Sequence, residues 1–598
     1  MTMKRLLIAC LCALTATALA QDLAFTNVKV FDGESMLEGE QTVLVQDGWI
    51  AAVGTDIEIP EGTETIDGAG ATLMPGLIDS HVHTFYEQAL QQNAVFGVTT
   101  VLDMFTDEGL ATSMRQAQQD GGVTDRADMF SSGMLATAPG GHGTQFGVQV
   151  DTLTEAAEAE HWVDARIAAG ADYIKVILET GEEMDFQVDT ISDEILRAVI
   201  DASHVRGLIV VAHVQTLEAA KQAVAAGVDG LAHIFTDAVA DEEFVAAAVD
   251  SGLFVIPTLT VFQSVGSEPI DESISGDPLL APYLSSQDLQ NLGMPFSGFE
   301  QLSLENGLES VRLLHEAGVP ILAGTDAMNP GTAYGASMHR EVVLLGMAGL
   351  SPAEALASAT SVPARTFELD NRGVVREQNR ADLLLVNGDP TEDILATRDI
   401  RGVWKGGVAI DREAWAQANE ALAAGTGEQP EALSQGGPVV VSDFESGDLS
   451  VSFGHPWEPT TDMPAGGDST VEVAVVETDS GHALEVTGTV GEAFAFPWSG
   501  VMFMPASMPF GPADLSAAQT LAFDAAGDPG TYRLQMYCSN LGQQAIVQWE
   551  FDITEDWESF DVDLSTVGGC DPSGVMALIF SAGTPGPFSF MLDNVTLQ

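Results

Sequence analysis

Between residues 73 and 370 the sequence alternates short apolar segments with longer amphipathic ones, and this alternation restricts the fold more than any other feature. The amphipathic segments are rich in Ala and Glu, as at 217–226 and 241–249, and are typical of helices. The apolar segments predict eight buried strands, at 73–83, 98–103, 127–134, 173–178, 208–214, 230–235, 254–259 and 319–325. Eight strand–helix units predict a closed (β/α)8 TIM barrel of the α/β class over residues 73–370.

The segments on both sides of the barrel are predicted to be β structure. Residues 21–72 and 371–412 contain short strands and turns, with Asp47-Gly48 as a hairpin signal, and are predicted to join in one small β-sandwich. Residues 413–438 are predicted to be a helix and a linker rich in Gly, Gln, Glu and Pro. Residues 439–598 show short strands with frequent turns and predict a second β-sandwich.

Residues 1–20 have the features of a secretory signal peptide. Lys4 and Arg5 precede an apolar run at 6–14, and a small-x-small cleavage sequence ends at Ala20. The run is too short for a membrane span, which needs about 20 apolar residues. Cys10 lies in a segment that resembles a lipoprotein box, but too few apolar residues precede it for a signal of that kind. We therefore expect a periplasmic or secreted protein, with lipid anchoring at Cys10 as the weaker alternative.

Charge and cysteine content limit the partners and the compartment. The 88 acidic and 21 basic residues give a net charge of −67, which argues against nucleic-acid binding. Cys10 and Cys12 belong to the signal segment. Cys538 and Cys570 would form one disulfide, as expected after export, or remain two buried thiols.

The residues that carry chemistry stand where the predicted strands end. His81 and His83 end the first strand, and because strand side chains alternate, both imidazoles face one side and can share a cation. Such a pair also occurs as ordinary polar residues at a strand end. Lys175 lies in an apolar strand, where a buried ammonium is costly unless it is ion-paired or chemically changed. A neutral lysine can add carbon dioxide and become an anionic carbamate with two ligand oxygens.

Three further strands end in His213, His233 and Asp326. The carboxyl ends of barrel strands form the active-site face, so these residues are predicted to converge with the earlier ones. The sequence therefore predicts a metal site with the ligands His81, His83, Lys175, His213, His233 and Asp326.

This pattern resembles the amidohydrolase superfamily, in particular its imidazolonepropionase-like and metallo-dipeptidase (prolidase-like) branch, over about residues 22–412. The resemblance is carried by MPGLIDSHVH at 74–83, ADYIKV at 171–176, the two later histidines and AGTD at 323–326. It implies that His81, His83 and Asp326 hold one divalent metal and that His213 and His233 hold the other. Carboxylated Lys175 and a hydroxide would lie between the metals.

Two details refine the resemblance. Imidazolonepropionases lack the bridging lysine, so Lys175 favours the dipeptidase-like relatives. The segment at 179–183 departs from the Gly-rich turn that many relatives carry there.

The expected function is metal-dependent hydrolysis of an amide bond in a small substrate, such as a dipeptide or an N-acyl amino acid. Two divalent cations acidify a bridging water and polarise the scissile carbonyl, and Asp326 then moves the proton to the leaving nitrogen. Zinc suits these ligands best, although manganese and other divalent ions also fit. The alternatives are an ester, lactone or cyclic-amide hydrolase, and a non-catalytic glycan-binding scaffold.

Four residues are predicted to contact the substrate. His142 lies in the Gly-rich loop after the third strand and would reach the substrate carbonyl or carboxylate, taking part in catalysis, unless it is simply solvated. Tyr334, His339 and Arg340 follow the eighth strand and would bind a substrate carboxylate. Arg340 suits a bidentate pair, or equally a surface ion pair.

The C-terminal region resembles the jelly-roll modules that bind carbohydrate, on the basis of its closing segment at 588–597. Tryptophans that would stack on sugar rings, or else form the core, are Trp457, Trp498, Trp549 and Trp557. Barrel enzymes of this kind often self-associate, so a homo-oligomer is a further expectation.

Overall fold

The computed structural model describes most of the chain after the predicted signal segment. The described residues are 22–119, 124–144, 150–179, 188–264, 274–294, 303–423, 430–434, 437–462, 469–478, 481–491, 497–506, 511–518, 520–539 and 546–598. The signal peptide predicted at 1–20 and the alternative lipid anchor at Cys10 lie outside them. Within the described residues, no helix is both long enough and apolar enough to cross a membrane.

Five strands precede the barrel: β1 (Leu23–Val30), β2 (Gln41–Gln46), β3 (Trp49–Gly54), β4 (Glu64–Asp67) and β5 (Thr72–Pro75). The described part of the barrel contains seven regular strands. They are β6 (Leu77–Val82), β7 (Val98–Asp103), β8 (Asp128–Ser131), β9 (Ile174–Leu178), β10 (Val210–Val214), β11 (Gly230–Ala232) and β12 (Phe254–Ile256).

Helices lie between and after these strands. They are α1 (Gln88–Val95), α2 (Glu108–Gln119), α3 (Ala159–Ala168), α4 (Asp193–Val205), α5 (Leu217–Ala226), α6 (Glu242–Ser251), α7 (Leu259–Ser264), α8 (Ser286–Leu292), α9 (Leu304–Glu316), α10 (Met338–Met347), α11 (Pro352–Ser358) and α12 (Ser361–Thr366). Capping fixes several of their ends. The Thr216 side chain accepts a hydrogen bond from the Ala219 amide at the start of α5, and Gly227 ends that helix in the left-handed region.

The barrel closes through single bridges where regular strands are missing. Parallel pairing joins β6–β7–β8 and, separately, β9–β10–β11–β12. A parallel bridge between Ala136 and Val176 joins the two sets on one side. On the other side, the segment 319–327 takes the eighth position, since Ile321 pairs with Val255 and Ala327 pairs with Val82. The eighth strand predicted at 319–325 is therefore present as a barrel position without a continuous ladder.

The first predicted strand, 73–83, is wrong as a single element. It divides at Gly76 into β5, which belongs to the small flanking sheet, and β6, which belongs to the barrel. A Cβ atom at Gly76 would lie 2.2 Å from the Thr99 hydroxyl oxygen, so only glycine fits at this crossing. An unbroken apolar run in the sequence does not reveal such a division.

The two flanks of the barrel form one sheet. After the barrel come β13 (Leu383–Val386), β14 (Ile400–Lys405), β15 (Val408–Ala409) and the helix α13 (Arg412–Ala423). The sheet order is β15-β14-β13-β5-β1-β2-β3, with β4 paired to β1. The antiparallel contact between β5 and β13 aligns Thr72 with Val386. Strands from both ends of the barrel sequence thus share one sheet, where the sequence predicted a small β-sandwich.

The C-terminal region is a β-sandwich preceded by the short helix α14 (Glu431–Ser434). Its strands are β16 (Val439–Ser442), β17 (Glu458–Thr461), β18 (Thr470–Thr478), β19 (Gly481–Val490), β20 (Ser499–Phe503), β21 (Thr520–Gly527), β22 (Gly530–Cys538), β23 (Ile546–Ile553), β24 (Glu558–Asp563), β25 (Val575–Ala582) and β26 (Gly586–Leu597). One sheet runs β18-β19-β26-β21-β24 with β16 on β26, and the other runs β17-β20-β25-β22-β23.

The structure of the C-terminal sandwich shows the role of Trp457 and the state of the two cysteines. Trp457 is only 1% exposed and packs against Phe444, Phe503 and Phe580, so it is a core residue and is not available for sugar stacking. Cys538 and Cys570 form a disulfide with a Cα–Cα distance of 5.6 Å. A crosslink that closes a loop of this length stabilises a domain by about 3 to 4 kcal/mol in the chain-entropy model.

A buried charge cluster connects the barrel with the flanking sheet. Asp128 in β8 lies 2.9 Å from the Lys405 ammonium and 2.6 Å from the Arg372 guanidinium, and it also pairs with Arg380. Asp382 shares Arg380 and Lys405. Burial alone would raise the pKa of Asp128, but the charges of Lys405, Arg380 and Arg372 outweigh burial and hold that pKa well below its usual value.

Asp128→Asn is expected to lower the free energy of unfolding at neutral pH by about 3 to 5 kcal/mol, because it leaves buried cations without their counter-ion. The pKa of Asp128 is depressed in the folded state, so its stabilisation is present above the unfolded value of about 3.9 and is lost as the pH falls below it. Urea unfolding from pH 7 towards pH 3 should show the difference from wild type shrinking. Asp241→Asn, which removes an exposed pair with Lys221, is the control and should change stability much less. A difference that stays constant with pH would contradict the assignment.

Candidate metal centre

His81, His83 and Asp326 converge at the mouth of the barrel. The Nε2 atoms of the two histidines lie 3.2 and 3.1 Å from the same carboxylate oxygen, Asp326 Oδ1. His81 is fully buried, and neither its Nε2 nor Asp326 Oδ1 makes a hydrogen bond within the described residues. Ligand bonds of about 2.1 Å place neighbouring ligands about 3 to 3.5 Å apart, so these three atoms fit a divalent cation.

Buried polar contacts hold this part of the backbone in place. Asp79, two residues before His81, accepts hydrogen bonds from the Thr325 hydroxyl at 2.6 Å and from the amides of Thr325 and His81 at 3.0 and 3.1 Å. The Asp326 amide donates to the His81 carbonyl at 2.7 Å. Asp326 and His233 both have positive φ angles, of 55° and 73°. Such a conformation costs non-glycine residues about 1 to 3 kcal/mol, and it clusters at functional sites.

Lys175 is buried inside the barrel on β9. Burial lowers the pKa of its ammonium to about 7, although the charges of Asp326 and Asp103 act in the opposite direction. Within the described residues, no hydrogen bond or ion pair holds the side chain. A large fraction of Lys175 is therefore neutral near pH 7, and a neutral amine is the form that can add carbon dioxide.

His213 and His233 lie beside the first cluster. The ring centroid of His233 is 4.7 Å from that of His81 and 4.7 Å from that of His213. Burial lowers the pKa of His213 to about 4 and that of His233 well below its usual value, so both imidazoles are neutral and can donate a lone pair to a metal. Thr258 fixes the ring of His233 through a 2.7 Å contact with Nδ1.

Glu179 is a site residue that the sequence analysis missed. It follows β9 directly, is 3% exposed, and its Oε2 lies 2.7 Å from His142 Nδ1 and 3.0 Å from His213 Nε2. Burial alone would raise the pKa of Glu179, but its contacts with the two histidines outweigh burial and lower it, so the carboxylate is ionised. The sequence did contain a signal for this residue. Side chains alternate along a strand, so residue 179 faces the same side as residue 175.

The predicted substrate residues fall in three different places. His142 is half-buried at the mouth, stacked on His213 with ring centroids 4.7 Å apart. Tyr334 is buried, and its hydroxyl donates to the His83 carbonyl, so it positions a predicted ligand. Arg340 is half-buried, donates a hydrogen bond from Nε to Gln263 Oε1 at 2.8 Å, and lines a small cleft. The other residues that line this cleft are Thr260, Gln263, Ser264, Ile274, Leu292 and Gly331.

The prediction that His339 binds substrate is wrong. The residue is fully buried in α10, where its Nε2 lies 2.9 Å from the Phe96 carbonyl oxygen and its Nδ1 lies 3.1 Å from the Thr397 hydroxyl. Both ring nitrogens are therefore occupied by core partners. His339 joins α10 to neighbouring elements of the fold and does not face the mouth.

Comparison with known proteins adds family evidence to this geometry. The model of the Amidohydrolase family matches residues 72–410. An imidazolonepropionase of Salinispora arenicola is 25% identical over 380 residues, which cover 60% of this chain and 89% of that protein. The solved structure of a candidate prolidase from Bifidobacterium longum is 26% identical, has a TM-score of 0.54, and covers 67% of this chain and all of that one. A Xaa-Pro dipeptidase with bound methionine in its active site is 23% identical, has a TM-score of 0.53, and covers 65% and 99% of the two chains.

His339→Ala is expected to lower the free energy of unfolding by about 2 kcal/mol, because it removes a buried ring and leaves the Phe96 carbonyl without its donor. Metal content should stay at the wild-type value, since the ring does not reach the metal cluster. Thermal unfolding and elemental analysis of the same sample would test both statements. If the variant lost metal while its stability stayed unchanged, His339 would belong to the metal site and not to the core.

Proposed function

Because the chain belongs to the amidohydrolase family, we propose that it hydrolyses an amide bond in a small carboxylate-bearing substrate, such as a dipeptide or an N-acyl amino acid. The observation that carries this proposal is the convergence of His81, His83 and Asp326 on one point beside a buried, partly neutral lysine. The family supports a metal-dependent hydrolase that acts on carbon–nitrogen bonds. The substrate class and the roles of individual residues are our inference.

In this proposal His81, His83 and Asp326 hold one divalent cation, zinc or manganese, and His213 and His233 hold a second. The Lys175 amine could add to the carbon of carbon dioxide and release one proton, and the resulting carbamate anion would supply oxygen ligands. When bound, the cations acidify water and polarise the scissile carbonyl. Neutral imidazoles and a pKa of about 7 for Lys175 support this ligand set.

The chain's own groups move the proton and orient the substrate. Asp326 accepts the proton of the attacking water and delivers it to the leaving nitrogen, a role that suits a carboxylate at the barrel mouth. Arg340, which lines the cleft, binds the substrate carboxylate. Phe85, which is 37% exposed beside the His83 ring, supplies an apolar wall for the substrate side chain.

The relatives support the choice of substrate class. One structural neighbour is a candidate prolidase and another is a Xaa-Pro dipeptidase with methionine bound in its active site. Hydrolysis of a dipeptide and hydrolysis of an N-acyl amino acid both leave a free amino acid with its carboxylate. The cationic Arg340 at the cleft fits that shared feature.

The deciding experiment measures metal content by mass spectrometry on wild type and Lys175→Ala, together with hydrolysis of dipeptides and N-acyl amino acids. We expect about two metals per chain and amidase activity in wild type, with activity abolished and both metals weakened in the variant, because the bridging anion is lost. Lys221→Ala, in an exposed helix, is the matched control and should retain both properties.

The same screen distinguishes the alternatives. Activity on esters, lactones or cyclic amides, without activity on dipeptides or N-acyl amino acids, would replace the proposed substrate class. Substrates with an amidated carboxyl group should be cleaved poorly if Arg340 binds the carboxylate. If the wild type contained one metal ion or none, and Lys175→Ala changed neither metal content nor activity, the proposal that Lys175 is carboxylated would be wrong.

We also propose that the protein is exported, with cleavage after Ala20. The features of residues 1–20 and the disulfide between Cys538 and Cys570 support an oxidising compartment. Cell fractionation followed by N-terminal sequencing should recover a periplasmic or secreted chain that begins at Gln21. A chain that retains its first residues in the cytoplasm would contradict export, and a lipidated Cys10 would establish the anchored alternative.

A further inference from the structure

The Glu179 carboxylate faces two imidazoles in a buried position. Its Oε2 lies 2.7 Å from His142 Nδ1 and 3.0 Å from His213 Nε2, and one potential ligand atom from each residue lies within 4.8 Å of the others. Glu179 is 3% exposed and His213 is 6% exposed. Two imidazole nitrogens and one carboxylate oxygen at this spacing form a ligand set that suits zinc and related divalent ions.

The two imidazoles stabilise the charge of Glu179, but the geometry of the contacts departs from that of ordinary hydrogen bonds. Neither oxygen of Glu179, nor His213 Nε2, makes a hydrogen bond of acceptable geometry within the described residues. The three atoms lie close enough together to surround one cation.

The first metal cluster provides an internal comparison. There, too, one carboxylate oxygen lies at 3.1 and 3.2 Å from two imidazole nitrogens. His81 Nε2 and Asp326 Oδ1 are likewise buried without a hydrogen bond within the described chain. The two clusters therefore have the same kinds of ligand, two imidazoles and one carboxylate, at similar spacing.

We propose that Glu179 and His142 join His213 as ligands of the second cation. This inference rests on the proposed function, since it extends the ligand set of the same metal centre. It assigns a ligand role to His142, which the sequence placed only at the substrate, and it gives a chemical reason for a glutamate where many relatives carry a Gly-rich turn. Glu179 adds a permanent negative charge to this cation, whereas the Lys175 carbamate depends on dissolved carbon dioxide.

The test counts and titrates metal in the full chain. Wild type, Glu179→Gln and His142→Gln are stripped of metal, titrated with Zn²⁺ in a calorimeter, dialysed and analysed for zinc. We expect two zinc ions in wild type and one in each variant, with the affinity of the weaker site lowered at least about tenfold. Glu218→Gln, an exposed glutamate in α5, is the control and should bind two.

Separate outcomes distinguish this inference from the proposed function. Two zinc ions with wild-type affinity in Glu179→Gln would overturn the inference and leave the amidohydrolase site intact, and the same result in His142→Gln would also overturn it. Loss of both zinc ions in Lys175→Ala, with loss of only one in Glu179→Gln, would support both proposals. If thermal unfolding shows that Glu179→Gln does not fold, His142→Gln decides, because that side chain is half-buried on a loop.

Discussion

The parallel bridge between Val82 and Ala327 is the contact on which the site depends, because it closes the barrel between its first and eighth positions. The bridge flanks the ligand residues directly. His83 follows Val82, and Asp326 precedes Ala327, so closing the ring brings the Asp326 carboxylate against His81 and His83. The buried Asp79 adds side-chain acceptors to the same seam. Without this pairing, nothing would bring Asp326 close to His83, which lies more than half of the barrel sequence away.

Burial is the second common factor of the metal centre. Removal of water lowers the pKa of Lys175 to about 7 and keeps His213 neutral, so it favours the unprotonated forms of both side chains. At Glu179, contacts with His142 and His213 outweigh the same burial and keep the carboxylate ionised.

Much of the fold and part of the site follow from local patterns in the sequence. The helix predicted at 217–226 agrees with α5, and the strand-end positions of His81, His83 and Asp326 correctly predict that these residues meet. The division at Gly76 was missed, since it is set by the distance to Thr99 on a neighbouring strand and not by hydrophobicity. The prediction for His339 was wrong because the residue lies in a helix. Which way a helix face points depends on tertiary packing, and here the ring contacts the Phe96 carbonyl in the core. Glu179 was visible through strand parity, but the partners that make it informative come from other strands.

The shared sheet on the flanks has a consequence for how the chain is made. Thr72 in β5 pairs with Val386 in β13. The strand that precedes the barrel in the sequence can therefore complete its pairing only after the strand that follows the barrel has been synthesised. Until then β5 has an open edge, and such edges invite pairing with other chains. If the chain crosses a membrane unfolded, from its amino end, this edge stays exposed through nearly the whole barrel's passage. Delayed pairing of this kind makes the early strands the part of the molecule most in need of protection by a chaperone.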